Sequence, residues 1–230
     1  MKKYELTKET KVIGGKTLFR IRALRSFGDI KAGDLGGFIE NERNLSHEGN
    51  AWVGDNAKVG GNAKVSDNVR VGGDAWVEDN ARVDGDAQVG GNARVGGNAQ
   101  VGGNAQVGGD AWVCGYAQVG GDAWVCGYAR VGGDAWVCGY ARVGGYARVN
   151  GDGLINSNND YLCEQGLGSH NRSASFFKCK DGHIHVLCGC FDGNLDEFEN
   201  KVKEEHGNSK YAKEYLGFIE VVKTHFEVQQ

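Results

Sequence analysis

The sequence predicts an all-β solenoid, a parallel β-helix of six-residue repeats, with an N-terminal β cap and a small C-terminal α+β domain. Three observations lead to this prediction. The 230-residue chain contains 39 glycines and no proline, which is neither a collagen-like nor a typical disordered composition. Self-comparison gives seventeen consecutive six-residue units between Asn50 and Gly151. Both ends depart from the repeat, as a solenoid requires in order to close its core.

The consensus unit reads Asn or Asp, Ala, a variable residue, Val, Gly and Gly. The second position is Ala in sixteen units, with Val69 as the exception, and the fourth is Val in all seventeen. In an extended segment these two side chains point to the same side and form the core. The glycines and the following Asn or Asp tolerate positive φ. We therefore expect each unit to be one strand and one turn, and three units to close a triangular coil of eighteen residues.

The third position of each unit points to solvent and holds all five tryptophans. Residues eighteen apart should lie above one another, so the outward side chains form three ladders. We call one of these ladders the Trp–Arg wall; it consists of Lys58, Trp76, Arg94, Trp112, Arg130 and Arg148. Arginine stacked on an exposed indole stabilises by about 0.5–1 kcal/mol, and both residue types are frequent interface anchors. The wall is therefore either a self-covering surface or a binding surface, in which every member after Lys58 takes part.

The predicted chain has four parts. Residues 1–43 form the N-terminal β cap, which includes a hairpin around Gly14 and Gly15. Residues 44–151 form the β-helix. Residues 152–172 are a linker or first strand, and residues 173–230 form the α+β domain.

The α+β domain should begin with a hairpin, because Asp181-Gly182 is a strong turn signal. Two helices follow, with Asn194 and Glu197 as the capping box of the first and Ser209 as the cap of the second. Gly207 ends the first helix. Pairing across a two-residue turn predicts one core face made of Phe177, Cys179, Ile184, Val186 and Cys188.

Two sets of residues have the side-chain types of a metal site. The predicted hairpin sends its cysteines inward and its histidines outward, which separates Cys179, His183, His185, Cys188 and Cys190. Cysteines of the rod are twelve residues apart and fall on different walls; they are Cys114, Cys126 and Cys138. We therefore predict no metal and no cofactor. The segment 166–172, with His170 and Arg172, is either an exposed binding loop or an ordinary connection.

Composition excludes several classes of partner. A net charge of -4 argues against a nucleic-acid binder and against a polybasic membrane anchor. The first five residues lack the apolar run of a signal peptide. Seven cysteines without a disulfide framework favour free thiols in a reducing compartment. We predict a cytoplasmic protein without membrane association.

The layout resembles a group of hexapeptide-repeat proteins of bacteria and phages that are often labelled acyltransferases. Residues 59–64, Val-Gly-Gly-Asn-Ala-Lys, resemble the repeat, and the rest of the resemblance is carried by residues 4–7, 20–24, 33–37, 44–46 and 188–191. The resemblance implies a left-handed β-helix and a homo-oligomer, a trimer or a dimer.

Acyltransferases with this repeat use a histidine as general base and usually a loop that projects from a coil. No histidine occurs between His47 and His170, and no repeat unit is interrupted. We therefore expect no enzyme and no catalytic residue. The leading hypothesis is a non-catalytic scaffold or binding protein that acts through protein–protein contacts, as a phage or prophage accessory factor targeting a host protein. The alternatives are an acyltransferase-like enzyme and a glycan-binding surface protein.

Overall fold

The protein is a β-solenoid closed at both ends, and its computed structural model describes residues 2–228. Met1, Gln229 and Gln230, which the predicted end domains include, lie outside the described residues. The N-terminal strands are β1 (Tyr4–Ile13), β2 (Lys16–Ala23) and β3 (Leu35–Ile39). The two-residue strands β4 to β21 are Trp52–Val53, Lys58–Val59, Lys64–Val65, Arg70–Val71, Trp76–Val77, Arg82–Val83, Gln88–Val89, Arg94–Val95, Gln100–Val101, Gln106–Val107, Trp112–Val113, Gln118–Val119, Trp124–Val125, Arg130–Val131, Trp136–Val137, Arg142–Val143, Arg148–Val149 and Leu154–Ile155.

These strands stack into three parallel walls. The first wall runs β3-β5-β8-β11-β14-β17-β20, the second β4-β7-β10-β13-β16-β19 and the third β6-β9-β12-β15-β18-β21. Each rod strand pairs with the strand three units further along, so that Cα partners such as Arg94 and Trp112 are eighteen residues apart. The three predicted ladders are confirmed. Coil pairing also extends past the repeat, because Phe38 pairs with Lys58 and Leu154 with Trp136.

The corner between strands is a tight turn with one residue at positive φ. In a representative unit the Ala105 amide donates to the Gly102 carbonyl at 3.3 Å, and Gly103 has φ 62°. The sequence predicted that the fifth, sixth and first positions of the unit tolerate positive φ. In the structure only the sixth position has a positive φ. Three units carry aspartate there, at Asp55, Asp67 and Asp79, which is consistent with the tolerance of Asp for this region.

The core contains the Ala and Val side chains of every unit, none more than 2% exposed. The prediction that all five tryptophans face solvent is wrong for Trp52, which is 4% exposed. Phe27, from the N-terminal cap, packs edge-on against its indole with ring centroids 5.5 Å apart. The cap therefore covers the outside of the first coil as well as its open end.

The N-terminal cap contains the predicted hairpin. Strands β1 and β2 pair antiparallel on either side of Gly14 and Gly15, and β2 pairs with β3 to extend the first wall. A 3₁₀ turn, Glu42–Asn44, leads into the rod. The Tyr4 hydroxyl donates to the Leu45 carbonyl at 2.8 Å, so the buried ring closes the core without losing its polar partner.

The C-terminal domain is a four-stranded antiparallel sheet with two helices on one face. Its helix caps are as predicted, since Asn194 accepts from the Glu197 amide and Ser209 from the Ala212 amide. Among residues 2–228, neither helix is long and apolar enough to cross a membrane. The elements are a 3₁₀ turn (Asn158–Asp160), β22 (Tyr161–Leu167), β23 (Arg172–Lys178), β24 (Ile184–Cys188), β25 (Phe191–Asn194), α1 (Leu195–His206) and α2 (Lys210–His225).

The predicted register of the β23–β24 hairpin is wrong by one residue. Phe176 pairs with Val186, and Phe177 pairs with His185. The loop spans residues 179–183, between the end of β23 at Lys178 and the start of β24 at Ile184, and the Cys179 amide donates to the His183 carbonyl across it at 2.9 Å. Since side chains alternate along a strand, Phe177 and Cys179 lie on the opposite face from Val186.

Both faces of this sheet are buried. The face that packs on the helices contributes to a core with α1 and α2 that contains Ala174, Phe176, Ile184, Val186 and Cys188. The opposite face joins the core of the rod and contains Phe177, Cys179 and Leu187. The sheet therefore forms the C-terminal plug of the solenoid.

Gly108 and Gly109 provide a matched test of the corner. A Cβ at Gly109, where φ is 64°, would lie 2.9 Å from the Gly127 amide nitrogen of the next coil, whereas a Cβ at Gly108 would meet nothing within 4 Å. We expect Gly109→Ala to lower the free energy of unfolding by about 1–3 kcal/mol. Gly108→Ala should stay within about 1 kcal/mol of the native value. Urea unfolding followed by circular dichroism measures both.

An aspartate at the same corner serves as the second control. Gly109→Asp should cost less than Gly109→Ala, because Asp55, Asp67 and Asp79 hold this position with positive φ. In the rod, the Asp79 carboxylate also accepts from the Gly97 amide of the next coil at 3.0 Å. Equal losses of stability for Gly108→Ala and Gly109→Ala would contradict the corner geometry.

Candidate functional site

The Trp–Arg wall is the outer surface of the first wall. Strand pairing places Trp76 beside Arg94, Arg94 beside Trp112 and Trp112 beside Arg130. Arg148 completes the row beside Arg130. The sequence-predicted residues of this wall are therefore brought together in one straight row.

Each arginine that follows a tryptophan leans back over the indole of the preceding coil. The Arg94 guanidinium lies 6.0 Å from the Trp76 ring centroid, and that of Arg130 lies 5.8 Å from Trp112. Trp112 remains 42% exposed. The cation therefore covers part of each ring and leaves the rest open to solvent.

The second and third walls have a different character. Gln88 and Gln106 of the second wall lie in a groove of about 500 Å³ together with Trp124, over which Arg142 stacks at 5.6 Å. On the third wall Lys180 of the C-terminal domain stacks on Trp136 at 5.0 Å. Neither wall has the alternating row of cations and indoles.

Cysteines and tyrosines of the rod lie where the repeat predicts. Cys114, Cys126 and Cys138 follow strands of three different walls, and burial raises the pKa of the Cys114 thiol. Tyr128 and Tyr146 stack at one corner with ring centroids 5.0 Å apart. These residues are spread over the rod and form no common site.

His170 and Arg172 do not join the Trp–Arg wall. His170 is exposed, and its Nδ1 lies 2.9 Å from the Ser169 hydroxyl. Arg172 begins β23 and lines a groove of the C-terminal domain with Cys190 and His206. Residues 166–172 therefore belong to a separate surface, and whether they form a binding loop or an ordinary connection stays a prediction.

The structure brings Cys179, His183 and His185 together; we call these residues the Cys–His cluster. Their ligating atoms all lie within 4.8 Å of one another. The prediction that the hairpin separates the cysteine from the histidines is wrong, because the corrected register places all three on the rod-facing side of the sheet. Cys188 faces the helices instead, and Cys190 is exposed.

Carboxylates surround the Cys–His cluster. His183 Nδ1 lies 2.5 Å from an Asp181 oxygen, and His185 Nε2 lies 2.7 Å from an Asp192 oxygen. Hydrogen bonds from the backbone and ring of His183 hold the pKa of Asp181 below its usual value. Burial, followed by the adjacent Asp152 carboxylate, raises the pKa of the Cys179 thiol. The cluster opens into a groove of about 700 Å³ lined by Asp152, Asp181 and both histidines.

The spacing of Cys179, His183 and His185 in the sequence could have predicted this cluster, but only with the correct length of the hairpin loop. Three residues separate Cys179 from His183 and one separates His183 from His185. Residues two apart in a strand share a face, so a five-residue loop brings the set together. A two-residue loop of Asp181 and Gly182 would have kept it apart.

The histidine that precedes the rod is held in the N-terminal cap. The nearest N-terminal histidine, His47, stacks on Tyr4 with ring centroids 4.4 Å apart and accepts from the Lys3 amide through Nδ1 at 3.2 Å. Its environment lowers its pKa, mainly through burial. These contacts give His47 a role in closing the cap.

Comparisons with known proteins concern the repeat. Residues 87–103 match a family model described as YdcK Beta solenoid repeat. A comparison with curated proteins finds no match. The matched segment lies in the middle of the rod and holds strands of all three walls. Together with the stacked coils, it shows that this chain is a repeat β-helix protein.

Proposed function

We propose that this protein is a non-catalytic scaffold that binds an acidic surface of a partner protein along the Trp–Arg wall. The observation that carries the proposal is the straight row of alternating indoles and guanidiniums. Trp and Arg together are the residue types that most often anchor protein interfaces. The rigid coil stack holds them without a cost in ordering on binding, which favours affinity.

The charge of the wall favours an acidic partner. Its outward positions hold four cations and no carboxylate. The nearest intramolecular ion pair joins Lys58 Nζ to Asp74 Oδ1 at 4.0 Å, at one end of the row. Arg94, Arg130 and Arg148 are exposed, so their charges are available to carboxylates of another molecule.

The same pattern bears on the identity of that molecule. Two copies of the wall placed face to face would bring eight cations together, four from each copy, with no carboxylate at the outward positions, which is unfavourable. A different protein with an acidic surface avoids this repulsion. We therefore propose a different protein as the target. As expected from the sequence, the proposal also includes that this target is a host protein, that the chain has a phage or prophage origin and that it acts in the cytoplasm. A homo-oligomer would form through another surface.

Reversing two charges on the wall tests the proposal. We expect Arg94→Glu/Arg130→Glu to lose the partner that the wild-type chain captures from a bacterial lysate, with affinity reduced at least about tenfold. Mass spectrometry identifies the captured protein, and titration of the purified partner at two salt concentrations measures its affinity. Wild-type binding should weaken as salt rises, because exposed charge pairs are screened.

The control introduces a pair of glutamates at outward positions of another wall. Gln88 and Gln106 occupy the equivalent outward positions on the second wall. Gln88→Glu/Gln106→Glu should therefore retain the partner at wild-type affinity. Equal capture by both double variants and the wild type would contradict binding along the Trp–Arg wall.

A second candidate function, glycan binding, is favoured by the second wall. The groove that holds Gln88, Gln106 and Trp124 offers amides for hydroxyl groups and an indole for the face of a sugar ring. Titration with neutral oligosaccharides should quench Trp fluorescence in the wild type and in Trp112→Ala but not in Trp124→Ala. Quenching that survives in Trp124→Ala would contradict this candidate.

A further inference from the structure

In the Cys–His cluster, one ring nitrogen of each histidine faces a carboxylate, and the other ring nitrogen faces the neighbouring histidine. His183 directs Nδ1 to Asp181, and His185 directs Nε2 to Asp192. An ionised carboxylate only accepts hydrogen bonds, and a neutral imidazole carries a single N–H. The proton of each ring is therefore assigned to the nitrogen that faces the carboxylate.

This assignment makes acceptors of the two nitrogens that face each other. His183 Nε2 and His185 Nδ1 lie 3.4 Å apart, and each presents a lone pair. Two lone pairs at this distance repel unless a positive charge lies between them. The buried Cys179 sulfur lies within 4.8 Å of a ring nitrogen of each histidine. The cluster thus offers two nitrogens and one sulfur to a cation.

We propose that the Cys–His cluster binds a zinc ion through Cys179 Sγ, His183 Nε2 and His185 Nδ1. Two nitrogens at about 2.0–2.1 Å from a tetrahedral zinc are about 3.3 Å apart, close to the observed separation. Asp181 and Asp192 hold the other ring nitrogens, as carboxylates commonly do for zinc-bound histidines. Binding would release the thiol proton, because the thiolate is the ligand.

The fourth position faces the groove. Asp152 lies beside the Cys179 thiol and lines this groove, so its carboxylate or a water molecule would complete a tetrahedral set. A blue-copper site with the same three ligands uses a weak axial methionine in most cases. The only methionine of this chain is Met1. The donor set therefore favours zinc.

The location connects the proposed ion with the attachment of the C-terminal domain. Lys180 follows Cys179, donates from Nζ to the Asp134 carbonyl at 3.0 Å and covers Trp136. The Lys180 amide donates to the Asp152 carbonyl at 3.2 Å. An ion that fixes this loop would hold the plug against the last coil, which is a function beyond the proposed partner binding.

Cobalt(II), which substitutes for zinc and absorbs light, tests the site in the full-length protein. After removal of metals with a chelator, titration with cobalt should give a thiolate-to-cobalt charge-transfer band that saturates at one ion per chain. Added zinc should abolish this band and raise the midpoint of thermal unfolding. Cys179→Ser should remove the band, and His185→Ala should remove it or shift its saturation to higher cobalt concentration.

Two control variants separate the site from its surroundings. Cys190→Ser changes an exposed thiol outside the cluster and should keep the band. Asp192→Asn should weaken cobalt binding about 10–100-fold, whereas Asp196→Asn, which lines the same groove, should not. Circular dichroism checks that each variant is folded. Absence of the band in the wild type, or an unchanged band in Cys179→Ser, would overturn the proposal.

Discussion

The hydrogen bonds between successive coils are the constraint on which the rest of this structure depends. In each unit before the last coil, the amides of the third, fifth and first positions donate to carbonyls seventeen residues further on, as Gln100 does to Ala117 at 2.9 Å. An inserted residue would shift this register and turn core side chains outward. The uninterrupted repeat therefore produces straight walls, and straight walls place every third unit's outward side chain in one row.

The same ladder leaves two open ends, and the chain closes them in different ways. At the N-terminus, β2 and β3 extend the first wall, and Tyr4 and Phe27 cover the first coil. At the C-terminus, a sheet of separate topology places Phe177 and Leu187 against the last coil. Because its other face packs on helices, this sheet is apolar on both sides. That double burial is the reason why the hairpin register could not be read from its apolar residues alone.

The repeat made most of the fold predictable from the sequence. Ala and Val two apart fix the inward face, and the eighteen-residue coil then aligns Trp76, Arg94 and Trp112. The predictions that were wrong concern the two ends of the rod, where residues outside the repeat determine the packing. Trp52 has the outward position of every other tryptophan, and the packing of the N-terminal cap, with Phe27 against its indole, buries it. In the hairpin, both Phe176 and Phe177 suit a core face, so two registers that differ by one residue agree about equally well with the apolar pattern. The wrong register separated the residues of the Cys–His cluster.

The distribution of cations explains why only the first wall presents an extended row of cations and indoles. Tryptophans 112, 124 and 136 are twelve residues apart and fall on three walls, and each receives a cation from the next coil or beyond. On the second wall that cation is Arg142, beyond which the row ends. On the third it is Lys180, which belongs to the plug and serves its attachment. Trp112 alone has an arginine on each side, so the first wall alone continues the alternation over several coils, as an extended interface requires.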